Sequence, residues 1–371
     1  MKMATDWSTA MKMLYSQEIW RMAIHWPLSL IYSYFCLFAS HLFPFFLHSS
    51  SSSSYPRCRL SLDPESEIKQ PICIVTGATS GLGAAAAQAL AAEAYHVVLV
   101  GRSSQLLDQT IQEIKQKHKD AKLKAFQVDL ASFPSIMKFE SSLKQWLSES
   151  NLHPSVQLLI NNAGIFAISC RTTADGYDQM MQTNYMGAFF LTKLLLPLLK
   201  NSPVASRIVN VTSFTHRSVF DIKVDQKTLV CLPTAGKYPW ARIYEYSKLY
   251  LLLFSYELHR QLHAVDSSST ISVNFADPGA VETRIMRELP QCLSQLAFTI
   301  LRCLFLLQSP EDGVRSIVDA ALAPLEVSGK YFFGGKGRTI QSSSISYNAK
   351  LGRDLWSASN ALFQEYLQMK G

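Results

Sequence analysis

The sequence has no C-x-x-C pair and no His, Cys, Asp and Glu at metal-ligand spacing, so no bound metal is expected. Its seven cysteines (Cys36, Cys58, Cys73, Cys170, Cys231, Cys292 and Cys303) are odd in number and scattered through apolar segments. They read as reduced, mostly buried thiols of a chain facing a reducing compartment. The formal net charge is +7, yet no basic run is dense enough for a nucleic-acid face. A mildly basic surface suits an anionic ligand or a membrane instead. No internal repeat appears. Charge is also absent from Trp26 to Leu47, which holds no Asp, Glu, Lys or Arg. A bilayer needs roughly 20 such residues, and Trp20, Trp26, Tyr32 and Tyr34 suit its interface. Residues 1–48 are therefore expected to hold a single membrane anchor. Arg57 and Arg59 slightly outweigh Lys12 and Arg21, which places the following domain on the cytosolic side. A cleaved signal peptide is an alternative, though its apolar core is shorter. The serine run Ser49–Ser54 keeps a plastid transit sequence open as another. Residues 49–68, serine-rich with Pro56 and Pro64, read as a flexible linker.

What is present begins at Pro71. The run PICIVTGATSGLG joins a β-rich apolar segment to three glycines, Gly77, Gly81 and Gly83, and then to an alanine-rich helix. A strand, a glycine turn and a helix N-terminus cradle a pyrophosphate, because free N–H groups and the helix dipole favour negative charge. Strands are expected at 72–76, 96–100, 124–129, 156–160, 206–212, 270–275 and 330–333, with amphipathic helices between them. This alternation predicts a doubly wound parallel sheet, a Rossmann-type α/β fold. The second strand ends at Gly101-Arg102 with no acidic residue beside it. An acid there binds ribose hydroxyls, whereas an Arg accommodates a 2′-phosphate, so NADP(H) is expected over NAD(H). Asp129, after the third strand, reads either as an acceptor for the adenine amino group or as a helix cap.

TGATSGLG, Val128-Asp129-Leu130 and Asn161-Asn162-Ala163-Gly164, in this order, resemble the short-chain dehydrogenase/reductase family. Thr183-Asn184-Tyr185-Met186-Gly187, the strand RIVNVTS ending at Ser213, Tyr244-x-x-x-Lys248 and Asp277-Pro278-Gly279-Ala280-Val281-Glu282-Thr283 extend the likeness. It covers about residues 70–335, and its phrasing is most similar to the retinol dehydrogenase-like branch. The resemblance implies that Tyr244 exchanges the proton, Lys248 binds the nicotinamide ribose, Ser213 orients the substrate oxygen and Asn184 holds a water. It further implies cofactor contacts from Gly77, Thr79, Ser80, Gly81, Leu82, Gly83, Arg102, Asp129, Leu130, Asn162, Ala163, Gly164, Pro278, Gly279, Val281 and Thr283. Tyr244 and Lys248, four apart on a helix, face one way, and an ammonium beside a phenol is expected to lower its pKa. Tyr246 and Thr212 are the competing neighbours.

Two departures from the family pattern stand out. The interval from Ser213 to Tyr244 is long and reads as an excursion over the site. The stretch Leu293–Leu307 is very apolar and reads as a substrate lid, as a bilayer contact or as a core helix. An apolar lid suits a hydrophobic alcohol or carbonyl: a retinoid, steroid, prenol or similar lipid. A plastid metabolite reductase and a non-catalytic NADP(H)-sensing scaffold are the competing readings. The expected layout is a catalytic domain at 69–335 and a helical extension at 336–371, docking back or meeting a partner. The resemblance also implies a homodimer, paired through the helices carrying Asn184 and Tyr244.

Overall fold

The computed structural model of the chain describes residues 10–42 (apart from 12), 53–58, 68–230, 238–265 and 270–370. The expected segments 43–47, 59–67 and 231–237, with Cys231, Arg59, Pro64 and Pro233, lie outside the described residues, as do most of the serine run and Lys12.

Eight strands form one sheet: β1 (Ile72–Thr76), β2 (His96–Gly101), β3 (Leu123–Gln127), β4 (Leu158–Asn161), β5 (Ser206–Val211), β6 (Ile271–Asp277), β7 (Tyr331–Phe333) and β8 (Thr339–Ile340). Their order is β8-β7-β6-β5-β4-β1-β2-β3, parallel throughout except β8 against β7. β1, β4, β5 and β6 are buried at every residue, as strands covered on both faces must be. Helices α2 (Gly81–Ala92), α3 (Ser104–Lys117) and α8 (Pro310–Ala321) pack on one face. Helices α4 (Phe133–Glu149), α5 (Gly187–Lys200) and α6 (Trp240–Val265) pack on the other. The strand order reverses between β1 and β4, so a crevice opens beyond their carboxyl ends. The expected strands are present. The third is shorter than expected and stops at Gln127, leaving Asp129 in the turn beyond it.

The termini close over this core. Helix α1 (Gln17–Leu42) is long and apolar enough to cross a membrane by length and composition. It also docks on the domain, against α6 and the turn Phe214–Ser218. Residues 53–58, expected as flexible linker, run along the domain: Tyr55 N donates to Gly337 O, Cys58 N to Leu322 O and Arg57 Nε to Asp319. Helix α9 (Ala349–Lys370) docks back on α5 and α6. Trp356 lies 5.8 Å from Phe189 and 6.0 Å from Phe254, and the Tyr185 hydroxyl pairs with Ser359 at 2.6 Å. The chain's own helix thus packs on the helices through which a dimer was expected. The cysteines correct the sequence reading: of the six described, only Cys73 is buried. Cys58, Cys170 and Cys303 are exposed because they stand in the peripheral strap, a loop and the end of an open helix.

Candidate active site

The glycine loop is built by close approach. A Cβ on Gly83 would fall 2.1 Å from Gly77 O, and one on Gly77, at φ +67°, would fall 2.9 Å from Ala163 Cα. No larger side chain fits between strand β1 and the start of α2. Thr76 locks the loop to its neighbour. Its hydroxyl accepts from Asn162 N and Ala163 N at 3.0 Å, and Asn162 Nδ2 donates to Thr76 O at 2.9 Å. Asn162 is therefore a brace beneath the loop. The 278–283 segment folds over from the other side, with Thr283 Cγ2 3.2 Å from where a Gly81 Cβ would stand.

A cavity of about 600 Å³ runs from this loop into the crevice. Every residue expected at the site lines it except Asn184. Arg102 is exposed at its outer end, and Asp129 spends one carboxylate oxygen on Ala131 N at 3.0 Å. The cradle, with Arg102 at one end and Tyr244 at the other, fits an extended dinucleotide.

At the inner end, Tyr244 is the tyrosine that reaches the cavity, and Tyr246 does not. Ser213 lies close enough to the phenol to lower its proton affinity, whereas the Thr212 hydroxyl donates to Lys248 O at 3.2 Å. Lys248 Nζ donates to Val211 O at 3.1 Å and sits 5.7 Å from the Tyr244 ring centre. Asn184 is buried behind them. Its amide bonds both backbone groups of Ile165, at 2.8 and 3.0 Å, and Ser247 at 3.1 Å. It fixes the loop after β4 beside Lys248.

The electrostatics differ from expectation in one respect. Burial, with the nearby Asp277 carboxylate, pushes the Tyr244 phenol well above its ordinary value, although Ser213 opposes this. The lowering expected from Lys248 is not seen: desolvation, which disfavours a buried phenolate, dominates. Burial also pulls Lys248 down to about 8, with Asp277 resisting.

Several site residues were not found from sequence. Asp277 is buried, accepts from the Tyr331 hydroxyl at 2.6 Å and holds Gly279 N at 2.9 Å, so it shapes the turn over the cavity. His216 is pushed by burial down to about 3 and is therefore neutral. Its Nδ1 meets Ser213 O at 2.7 Å while Nε2 accepts from Ser343 N at 3.0 Å, tying Ser213 to the C-terminal extension. The largest omission is Trp26 of α1. Its ring lies 5.6 Å from both Tyr244 and Phe166, and its Nε1 donates to Glu245 at 2.9 Å. Glu245, fully buried, also takes Arg21 at 2.7 Å. Ser29, Ser33 and Glu18 recur on the same face of α1 and make further contacts with the domain. That polar stripe was readable in the sequence.

The described part of the Ser213–Tyr244 excursion lines none of the cavity beyond Thr215. Gln226–Val230 packs instead on α9. The cover comes from α1 and from α7 (Gln291–Cys303), in which no residue is fully buried. Leu293, Leu296 and Leu301 of α7 face the cavity, so this stretch is a lid and not a core helix.

Comparison with known proteins agrees with this geometry. The family model described as short chain dehydrogenase matches residues 71–220. Human polyprenol dehydrogenase is 35% identical over 293 residues, covering 78% of this chain and 83% of that protein. Human retinol dehydrogenase 13 is 32% identical over 293 residues, with the same two coverages, 78% and 83%. Among solved structures, an uncharacterised protein from Mycobacterium paratuberculosis superposes with a TM-score of 0.61 at 26% identity, covering 84% of this chain and 98% of that one. With its glycine cradle, Tyr244, Lys248 and Ser213 gathered at one crevice, the chain belongs to the short-chain dehydrogenase family, in its retinol dehydrogenase-like branch.

Proposed function

We propose that the chain interconverts a hydrophobic, lipid-like alcohol and its carbonyl compound with NADP(H). The observation that carries this is the meeting of Tyr244, Ser213 and Lys248 at the inner end of a cavity whose outer end is a phosphate cradle. When bound, the nicotinamide supplies or accepts the hydride. In the reducing direction Tyr244 donates its proton to the substrate oxygen as hydride reaches the carbonyl carbon. A phenol held protonated by burial is poised for that role. Ser213 donates a hydrogen bond to the same oxygen as negative charge builds there. Lys248, lowered to about 8 and so mostly charged at neutral pH, would offset the phenolate left behind and would hold the nicotinamide ribose hydroxyls. Asn184 acts by positioning, through Ile165 and Ser247.

Arg102 supports a 2′-phosphate, since no acid stands at the end of β2 and its guanidinium has no hydrogen-bond or ion-pair partner among the described residues. Trp26, Leu30, Phe166, Met286, Leu293 and Leu301 support an apolar substrate, because the cavity beyond Tyr244 offers it few polar partners. A prenol, retinoid or steroid has this chemistry. The test is full-length protein with NADPH and a panel of lipid aldehydes and ketones. Turnover is expected to fall by roughly 100-fold or more in Tyr244→Phe, with NADPH fluorescence binding intact. Equal rates in the two proteins would refute the proposal.

A further inference from the structure

Helix α1 has two apolar faces. The inward face carries Ile19, Trp26, Leu30 and Leu37 against the domain. The outward face is a stripe at helical spacing: Trp20, Ile24, Leu28, Ile31, Phe35 and Phe38 are 46–62% exposed. Lid helix α7 and the turn after it add an outward apolar surface, with Leu296, Ile300 and Leu304 half exposed and Phe305 95% exposed. Trp20, Leu296, Ile300 and Leu304 also line the active-site cavity, so the two surfaces meet at its mouth. The rim is cationic: Arg284, Arg287 and Arg302 are exposed there, and among the described residues only Arg302 has an acidic partner, Glu282.

A helix crossing a bilayer has no use for a polar inward face. Yet Arg21 is paired with buried Glu245, Ser29 bonds Ser218 at 3.2 Å and Ser33 takes Arg217 at 2.9 Å. These contacts hold α1 flat on the domain with the stripe outward. An apolar stripe edged by arginines matches the acyl boundary and phosphates of a lipid surface.

We propose that α1 lies in the plane of a bilayer surface, its outward stripe and the face of α7 immersed together, so that the cavity opens directly into lipid. This rests on the proposed lipid-like substrate for its purpose, and on the stripe alone for its geometry. The experiment compares the full chain with a Leu28→Ser/Phe35→Ser/Phe305→Ser variant; none of these three residues lines the cavity. Partitioning onto phosphatidylcholine vesicles containing phosphatidylserine is measured by sedimentation. Turnover of a short water-soluble aldehyde without vesicles is measured alongside.

Wild type is expected to bind vesicles, to be released by alkaline carbonate, and to bind less tightly as salt rises. The variant should bind on the order of 100-fold more weakly, with soluble turnover and unfolding midpoint unchanged. Three results would overturn the proposal. One is no vesicle binding by wild type; another is carbonate-resistant retention in both proteins, as for a span. The third is a vesicle-independent dimer that the substitutions dissociate, as for a second copy covering the stripe. Absence of turnover in both proteins would count against the proposed chemistry and leave the partitioning result to stand on its own.

Discussion

Removing Arg21 tests whether α1 is part of the active site. Glu245 follows Tyr244 directly, and its side chain is fully buried between α1 and α6. Arg21 Nε donates to both its oxygens, at 3.0 and 2.8 Å, and Trp26 Nε1 adds a third bond at 2.9 Å. Burial already pushes the Glu245 carboxyl above the usual carboxylate range, against the pull of Arg21 and Trp26. In Arg21→Leu the carboxylate keeps only the indole. Breaking a buried pair from one side costs about 3–5 kcal/mol. Arg21 is 20% exposed, so the lower half of that range applies. The cost cannot exceed the free energy with which α1 docks, because the helix can lift away and let water reach Glu245. We therefore expect lost amide-exchange protection along α1 at neutral pH, with the sheet strands protected as before. The KM for an apolar substrate should rise more than kcat falls, since the Trp26 wall goes while Tyr244 and Lys248 stay. Arg21→Leu/Glu245→Leu should recover much of the protection, because apolar replacement of a whole buried pair is often neutral. Unchanged α1 exchange and unchanged KM in Arg21→Leu, or a double variant as impaired as the single, would refute the reasoning.

The other predictions concern separate parts of the molecule. Arg102→Ala should lose NADPH affinity by roughly 10- to 100-fold, the worth of a hydrogen bond to a charged group, with NADH affinity little changed in a fluorescence titration. His216 is held neutral with a folded pKa of about 3, against about 6.5 when unfolded. The unfolded chain alone takes up that proton, so stability is complete above pH 6.5 and falls by roughly 1.4 kcal/mol per unit as pH drops towards 3. Urea midpoints at pH 7 and 5 should separate by less in His216→Gln than in wild type. Because α9 packs against one face of α5 and α6, light scattering of the detergent-solubilised full chain should give a monomer. Trp356→Asp/Phe363→Asp should expose that face and promote association, and a wild-type dimer insensitive to these changes would refute the assignment.

The sheet was legible because buried parallel strands need unbroken apolar runs, and ICIVT, LLIN and RIVNV supply them between glycine turns. The cradle was legible for a similar reason. Its glycines answer to sterics within one strand-turn-helix unit, where spacing alone carries the geometry. Tyr244 and Lys248 share one helical turn, so their side followed from the chain as well. What spacing could not carry was anything joining distant segments. Arg21 and Glu245 are 224 residues apart, and no local pattern pairs them. His216 reads as a loop histidine until Ser343 closes on it from the extension. The phenol's proton affinity also escaped the sequence, because a four-residue offset fixes direction but not burial.

Helix α1 shows what phase adds to composition. Counted as a window, Trp26–Leu47 is apolar and uncharged, which is what an anchor requires. Read around the helix, Glu18, Arg21, Ser29 and Ser33 align on one side and Trp20, Ile24, Leu28, Ile31, Phe35 and Phe38 on the other. A span immersed in lipid on all sides has no reason to segregate them. A helix with protein beneath it and, as proposed, lipid above it would have to. If the polar face is what seats Trp26 over Tyr244, any processing that removes α1 removes a wall of the active site. The mature N-terminus then becomes a chemical question: cleavage near residue 55 should leave cofactor binding intact and weaken selection for long apolar substrates. Full selectivity in a protein processed at that point would show that the wall is dispensable.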